Sequence, residues 1–101
     1  MFIMLRSKEF DAWLSALADR KGKARILARV RSAELGNFGD PESVGEGVSE
    51  MRVHFGPGYR VYFTRSERTV FLLLVGGDKS TQQKDIARAK DMARRIGEKK
   101  P

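Results

Sequence analysis

A chain of 101 residues that is 41% hydrophobic and 33% charged has the size of one domain, residues 1–101, and the balance of a globular rather than a disordered protein. It has no cysteine and one histidine, which excludes a disulfide framework and a zinc–thiolate site, so neither a metal nor a cofactor is expected. The formal charge of +7 and pI near 10.1 point to an anionic partner.

The charge is unevenly placed. Lys and Arg against Asp and Glu number 8 to 4 in residues 1–35 and 7 to 3 in residues 80–101, but 1 to 4 in residues 36–58. Both terminal regions are therefore basic, while the loop before the hairpin is acidic. The opening MFIMLRSKEF lacks the basic segment and long apolar run of a signal peptide. No apolar run approaches the roughly 20 residues that span a bilayer. A cytoplasmic protein with no membrane contact is expected.

Residues 2–5 (Phe-Ile-Met-Leu) suit a short strand. Ser7 is placed as an N-cap, with Glu9 and Asp11 favourable near a helix N-terminus. Phe10, Trp13, Leu14, Leu17 and Ala18 then fall on one face of an amphipathic helix, a spacing that marks core. Lys21-Gly22 is read as the break before a second helix, which carries Ile26, Leu27 and Val30 on its apolar side and ends at Gly36. So short a break predicts an antiparallel pair. The arginines of the second helix, Arg25, Arg29 and Arg31, read either as a solvated face or as contacts for RNA or an acidic partner. Residues 36–48, GNFGDPESVGEGV, read as a loop.

Residues 49–63, SEMRVHFGPGYRVYF, alternate strictly and predict a hairpin about Gly56-Pro57-Gly58. A three-residue turn would set Phe55 against Tyr59, His54 against Arg60 and Arg52 against Tyr62, gathering all four polar residues on one face. A one-residue bulge would offset those faces. Arg65 to Arg68 forms a polar turn, and Thr69 to Val75 is apolar on both sides, as a central strand requires, with Gly76-Gly77 ending it. Ser80 to Gln83 fits a capping box with Ser80 as N-cap. The last helix follows, with an Ile86, Ala89, Met92, Ala93 and Ile96 stripe, closed by Gly97 and the lysine-containing tail. The order strand, helix, helix, three-strand meander, helix is an α+β fold on a small antiparallel sheet.

The blocks ARILARV (24–30), GNFGD (36–40), GVSEMRVHFGPGYRVYF (47–63) and LLLVGGDKSTQQKDIARAK (72–90) resemble the RelE/ParE superfamily of type II toxins, in its HigB-like addiction-module killer branch. The resemblance spans about residues 6–96. It implies an antiparallel sheet with two N-terminal helices on one face, and a toxin that cleaves mRNA on the translating ribosome. It also implies silencing by a small helix-turn-helix, HigA-like antitoxin, the complex binding its own operator DNA. The alternatives are a ParE-like inhibitor of DNA gyrase that cleaves nothing, and a basic RNA-binding module without catalysis.

Metal-independent RNA cleavage would use the substrate's own 2′-hydroxyl and needs a base, an acid and cations for the phosphorane-like charge. Arg60 falls where the superfamily's hairpin arginine is expected, and Arg52 beside it suits a phosphate contact. His54 is a candidate base or acid, and Lys79 a phosphate contact or base. Tyr62 is a candidate to stack on a base or else to cap the sheet. Gln83 is a further candidate for binding substrate, and both it and Lys79 have the plainer reading of ordering the strand-to-helix connection. The chain departs from many superfamily members in having no tyrosine after Tyr62. Either His54 and Tyr62 take the acid and stacking roles, or the activity differs.

Overall fold

Ser7 closes one element and opens the next. At the end of β1 (Ile3–Arg6) its N–H donates to Leu73 O at 3.0 Å and its hydroxyl to Leu74 O at 2.6 Å. The same Oγ accepts from Phe10 N at 2.9 Å, capping α1 (Lys8–Ala16). The computed structural model describes residues 1–98. After α1 come α2 (Arg20–Glu34), β2 (Glu42–Gly45), β3 (Val48–Val53), β4 (Tyr59–Glu67), β5 (Val70–Gly77), a 3₁₀ turn at Lys79–Thr81, and α3 (Gln82–Glu98). The strands form one sheet in the order β1-β5-β4-β3-β2, antiparallel throughout except that β1 runs parallel to β5. The α+β class with a mostly antiparallel sheet is therefore as the alternation implied.

Several boundaries differ from the sequence reading. The supposed loop at 36–48 contains β2, which folds back on β3 through Gly45, Glu46 and Gly47, all at positive φ. Glycine at two of those positions is what lets the chain reverse there. The meander is thus four strands, not three. The break between the first two helices lies at Leu17–Asp19 rather than Lys21-Gly22, because Asp19 is the N-cap: its Oδ1 accepts from Gly22 N at 2.9 Å. Gly22 belongs to the first turn of α2. The two helices also pack on the sheet, α1 against β5 and α2 against β1, β3 and β4, more than on each other. β4 continues through Arg65 to Glu67, so the turn is confined to Arg68 and Thr69. Asp78, not Ser80, caps the last helical segment, its capping box closing with Thr81. Gly97 lies inside α3 rather than ending it, and Lys99 and Lys100 of the tail lie outside the described residues.

Two cores result, one on each sheet face. Phe10 and Leu14 of α1 and Ile26, Val30 and Ala33 of α2 pack on Met51, Val53, Val61, Phe63 and Leu73. Across the sheet, Ala89 of α3 packs with Val48, Tyr62, Leu74 and Val75. Phe10, Ile26, Met51 and Leu74 have no exposed surface, and each contributes about 1.5–3 kcal/mol of burial. Among the described residues, no helix is long and apolar enough to cross a membrane.

The faces are set by a bulge, though not in the hairpin. Tyr62 pairs with Val75 but Phe63 with Leu73, so Leu74 is extra, and Leu74 and Val75 both serve the α3 side. Gly76 and Gly77 continue the strand instead of ending it. A Cβ on Gly76 would stand 2.2 Å from the Trp13 ring, and one on Gly77 would stand 1.8 Å from Asp85 Oδ2. These two glycines let α1 and the start of α3 approach the same strand from opposite sides. Gly76→Ala should therefore lower stability by about 1–3 kcal/mol through overpacking against Trp13. In thermal melts that is roughly 4–8 °C per kcal/mol for a domain of this size; an unchanged midpoint would disprove the close packing.

Candidate functional site

The β3–β4 hairpin leaves its ladder two residues earlier on β3 than a three-residue loop would, with a five-residue loop. Val53 pairs with Tyr59, Arg52 with Arg60 and Glu50 with Tyr62, so the loop runs from His54 to Gly58. Phe55 N donates to Val53 O at 2.8 Å and Gly58 N to Phe55 O at 3.1 Å, with Gly56 and Gly58 at positive φ. The register differs from expectation by two residues, which preserves the faces. Arg52, Arg60 and Tyr62 do share one side of the sheet, but Arg52 faces Arg60, and His54 has left the ladder.

What makes two adjacent arginines tolerable is Glu50, whose side chain is 1% exposed. Arg52 Nε donates to its Oε2 at 3.2 Å and Gln82 Nε2 to its Oε1 at 3.0 Å. Arg60 Nε stands 3.3 Å from Oε1, an ion-pair contact whose angle falls short of a hydrogen bond. A carboxylate so far out of water persists only when paired this fully. Arg60 Nη1 donates to Gly58 O at 3.0 Å, which holds the side chain (12% exposed) against the hairpin loop. Arg52 reaches the other way, to Glu42 Oε2 of β2 at 2.6 Å.

Lys79 reaches the same place from the end of β5, where Gly77 pairs with Arg60. Its N–H meets Pro57 O at 3.4 Å, and the Cβ position of Gly58 lies 3.6 Å from Lys79 Cβ and 3.5 Å from Arg60 Nη1. Gly58 is thus the shared neighbour of Arg60 and Lys79. Lys79 and Gln83 are both exposed, on the strand-to-helix connection and the first turn of α3. Gln82, next to Gln83, is the glutamine that enters the cluster.

Tyr62 is placed differently from the stacking role read in the sequence. Its side chain is fully buried under α3 and presents no ring face to a base. Burial first, and then the nearby Glu50 carboxylate, push its pKa well above the usual tyrosine range. Asp85 is a second buried carboxylate on this side, taking the Thr81 hydroxyl at 2.5 Å. His54 is exposed and lines a groove beside α2 with Arg25, Arg29 and Phe55. Of the sequence-derived candidates, the structure gathers Arg52, Arg60 and Lys79 and leaves His54 and Gln83 at the margins. Glu50 and Gln82 were missed. A glutamate at an alternating position between Val48 and Arg52, on the same strand face as Arg52, was the available signal.

The hairpin is held to the helical layer by one further contact. Tyr59 Oη donates to Asp19 Oδ2 at 2.7 Å, while the Tyr59 ring meets Trp13 edge-on at 6.1 Å. Hydrogen bonds from Gly22 N–H and Tyr59 hold the Asp19 carboxyl below its ordinary value, and the same Asp19 bond, with burial, raises Tyr59 to about 12.

Two measurements test these contacts. Glu50→Ala leaves two guanidiniums without their shared carboxylate and should lower stability by about 3–5 kcal/mol in urea titrations. A loss below about 1 kcal/mol would mean the cluster is not paired as described. Tyr59→Phe should be less stable than wild type by an amount that varies with pH. Asp19's depressed pKa gives a contribution present above about pH 4 and lost as pH falls through its folded value. Tyr59's raised pKa gives one that holds below its ordinary value near 10 and is lost as pH rises toward about 12. The gap between the two proteins should therefore be widest in between and narrow at both ends; a pH-independent gap would refute the pairing.

Comparison with known proteins is consistent with this architecture. Residues 12–96 match the model of the family described as phage derived protein Gp49-like (DUF891). A Haemophilus influenzae protein, described only as uncharacterized, is 49% identical over 88 residues, covering 87% of this chain and 89% of its own length. The Gp49-like family is of the addiction-module toxin type, which implies an antitoxin partner. On a match that takes in the second half of α1, all of α2, the hairpin and nearly all of α3, this chain belongs to the phage-derived Gp49-like family.

Proposed function

We propose that this protein is the toxin of a type II toxin–antitoxin pair and acts as a metal-independent, ribosome-dependent mRNA endonuclease. The reading is supported chiefly by Arg60, an arginine held rigidly by Glu50 and Gly58 O with Lys79 beside it across Gly58. With Nη1 on Gly58 O and Nε only in ion-pair contact with Glu50, the guanidinium keeps donors for a phosphate oxygen. Preorganised donors of this kind act where charge develops in the transition state. In this reading Arg60 stabilises the phosphorane-like charge, Lys79 contacts phosphate or moves the proton, and Arg52 and Gln83 bind flanking backbone. His54 is assigned to binding, since it has left the ladder that carries Arg60. The basic surface carries the protein to ribosomal RNA and mRNA.

The silencing partner is proposed to be a small helix-turn-helix antitoxin, operator DNA engaging only the complex. Leu27 (40% exposed) and Leu35 (61% exposed), on and just after α2, are apolar surface available to such a partner. A second reading also has an observation in its favour. Arg60 is already ion-paired, which suits a toxin that binds and blocks, like the gyrase-directed ParE branch, without cleaving.

Expression of soluble protein should arrest growth, and mapped 5′ ends should fall within translated codons. Arg60→Lys, which keeps the charge opposite Glu50 but not the planar fork, should reduce cleavage about 10²–10³-fold, and Lys79→Ala at least about tenfold. Growth arrest with intact mRNA and a DNA-damage response would favour the gyrase reading instead. Normal growth would remove both.

A further inference from the structure

We infer that the groove between α2 and the tip of the β3–β4 hairpin is a second contact for the backbone of single-stranded RNA, apart from the Arg60 cluster. The groove holds about 280 Å³ and is walled by Arg25, Ala28 and Arg29 of α2 and by Arg52, His54 and Phe55 of the hairpin. Among the described residues no carboxylate lines it.

The state of each cation matters more than the number. The Arg25 guanidinium lies 5.1 Å from the centre of the Phe55 ring, which orients its planar fork without spending its charge on an acid. Arg29 Nη2 donates to the carbonyl of Asn37 at 2.6 Å, so its partner is neutral as well. Arg52 differs, being paired with Glu42 and Glu50, and marks the border between the groove and the Arg60 cluster. Unneutralised guanidiniums around one small groove repel one another until an anion sits among them, and the exposed imidazole adds a hydrogen-bonding group beside them.

A phosphodiester fits these groups. Its paired oxygens match an arginine fork, and a neighbouring base can lie against the Arg25 guanidinium that the half-buried Phe55 ring supports. An acidic peptide would satisfy the charge but would make no use of that flat face. Arg52 lies between the two on β3, so one strand passing round the sheet from the Arg60 cluster on the α3 face would meet the groove on the α2 face, which also favours RNA. The inference rests on the reading that RNA is the substrate, but concerns binding rather than cleavage.

The test is fluorescence anisotropy of the full-length protein with a short fluorescein-labelled oligouridylate across a salt series. Arg25→Gln should lower the slope of log K against log salt by about 0.7, the value of one single-strand phosphate contact. Extended between about 50 mM and 1 M, that slope change weakens binding close to tenfold at the lower salt. His54→Gln should weaken binding in the same direction and serves if Arg25→Gln does not fold. Arg31→Gln removes the same charge from α2 outside the groove, beside its partner Glu34, and should leave the slope nearly unchanged. Equal slopes for Arg25→Gln and Arg31→Gln would overturn the inference, reducing it to general electrostatics. So would a Glu-rich peptide whose binding, unlike that of the RNA, depends on Arg25. If wild-type protein leaves mRNA intact on translating ribosomes while Arg25→Gln still lowers the slope, the cleavage reading falls and the groove stands.

Discussion

A carboxylate with almost no contact with water is the constraint on which this structure turns. Glu50 lies on β3, yet its partners come from β3, β4 and α3: Arg52, Arg60 and Gln82. In a low-dielectric setting each of these groups would be strongly destabilising alone, and together they are mutually satisfied. The pairing also explains why Arg52 and Arg60 can stand directly opposite each other in the ladder, an arrangement that like charges otherwise disfavour. One residue thus holds the strand register, the seating of α3 and the orientation of the arginine that the functional reading requires.

The sheet is covered on both faces, and the contacts that make this possible are local. β5 carries Gly76 and Gly77 at neighbouring positions, each meeting a different layer, Trp13 of α1 on one side and Asp85 of α3 on the other. The extra residue at Leu74 turns two successive apolar side chains toward α3 just before that point. On the opposite face, Asp19 caps α2 and accepts from Tyr59, so helix start and hairpin base share one carboxylate. The hairpin loop that bears Gly58 is therefore anchored at its base by Asp19 and Tyr59 and beside its tip by Lys79 N–H on Pro57 O. A rigid loop between Arg60 and Lys79 is what a preorganised phosphate site needs.

Much of the fold was legible because burial leaves a period in the chain. The two-residue alternation of Met51, Val53, Val61 and Phe63 and the helical spacing of Phe10 and Leu14 each report one covered face, and both faces were assigned correctly. Ser7 as a cap was legible because its side chain acts three residues away. The missed elements depend on contacts distant in sequence. β2 has no apolar period, since it is a short polar edge strand, and exists because three positive-φ residues return it to β3. Gly22 looked like a helix breaker because nothing nearby shows that the Tyr59 ring occupies the space a side chain would need. The site was half legible: alternation brought Arg52, Arg60 and Tyr62 to one face, but it assigns a direction to each side chain and not a depth. Tyr62 and Glu50 therefore read as surface when α3 buries them both.

By itself, then, the amino-acid sequence determined the α+β class, the faces of the hairpin, the helices' apolar stripes and the basic character that points to an anionic partner. These follow from periodicity and composition, which are properties of the unfolded chain as much as of the folded one. Only the tertiary structure decided that the hairpin turns at His54–Gly58, that His54 joins Arg25 in a groove instead of facing Arg60, and that Glu50 is the buried partner of the arginines. Each of those outcomes depends on which distant residue supplies a hydrogen bond or fills a space, and such pairings are settled only when the layers close.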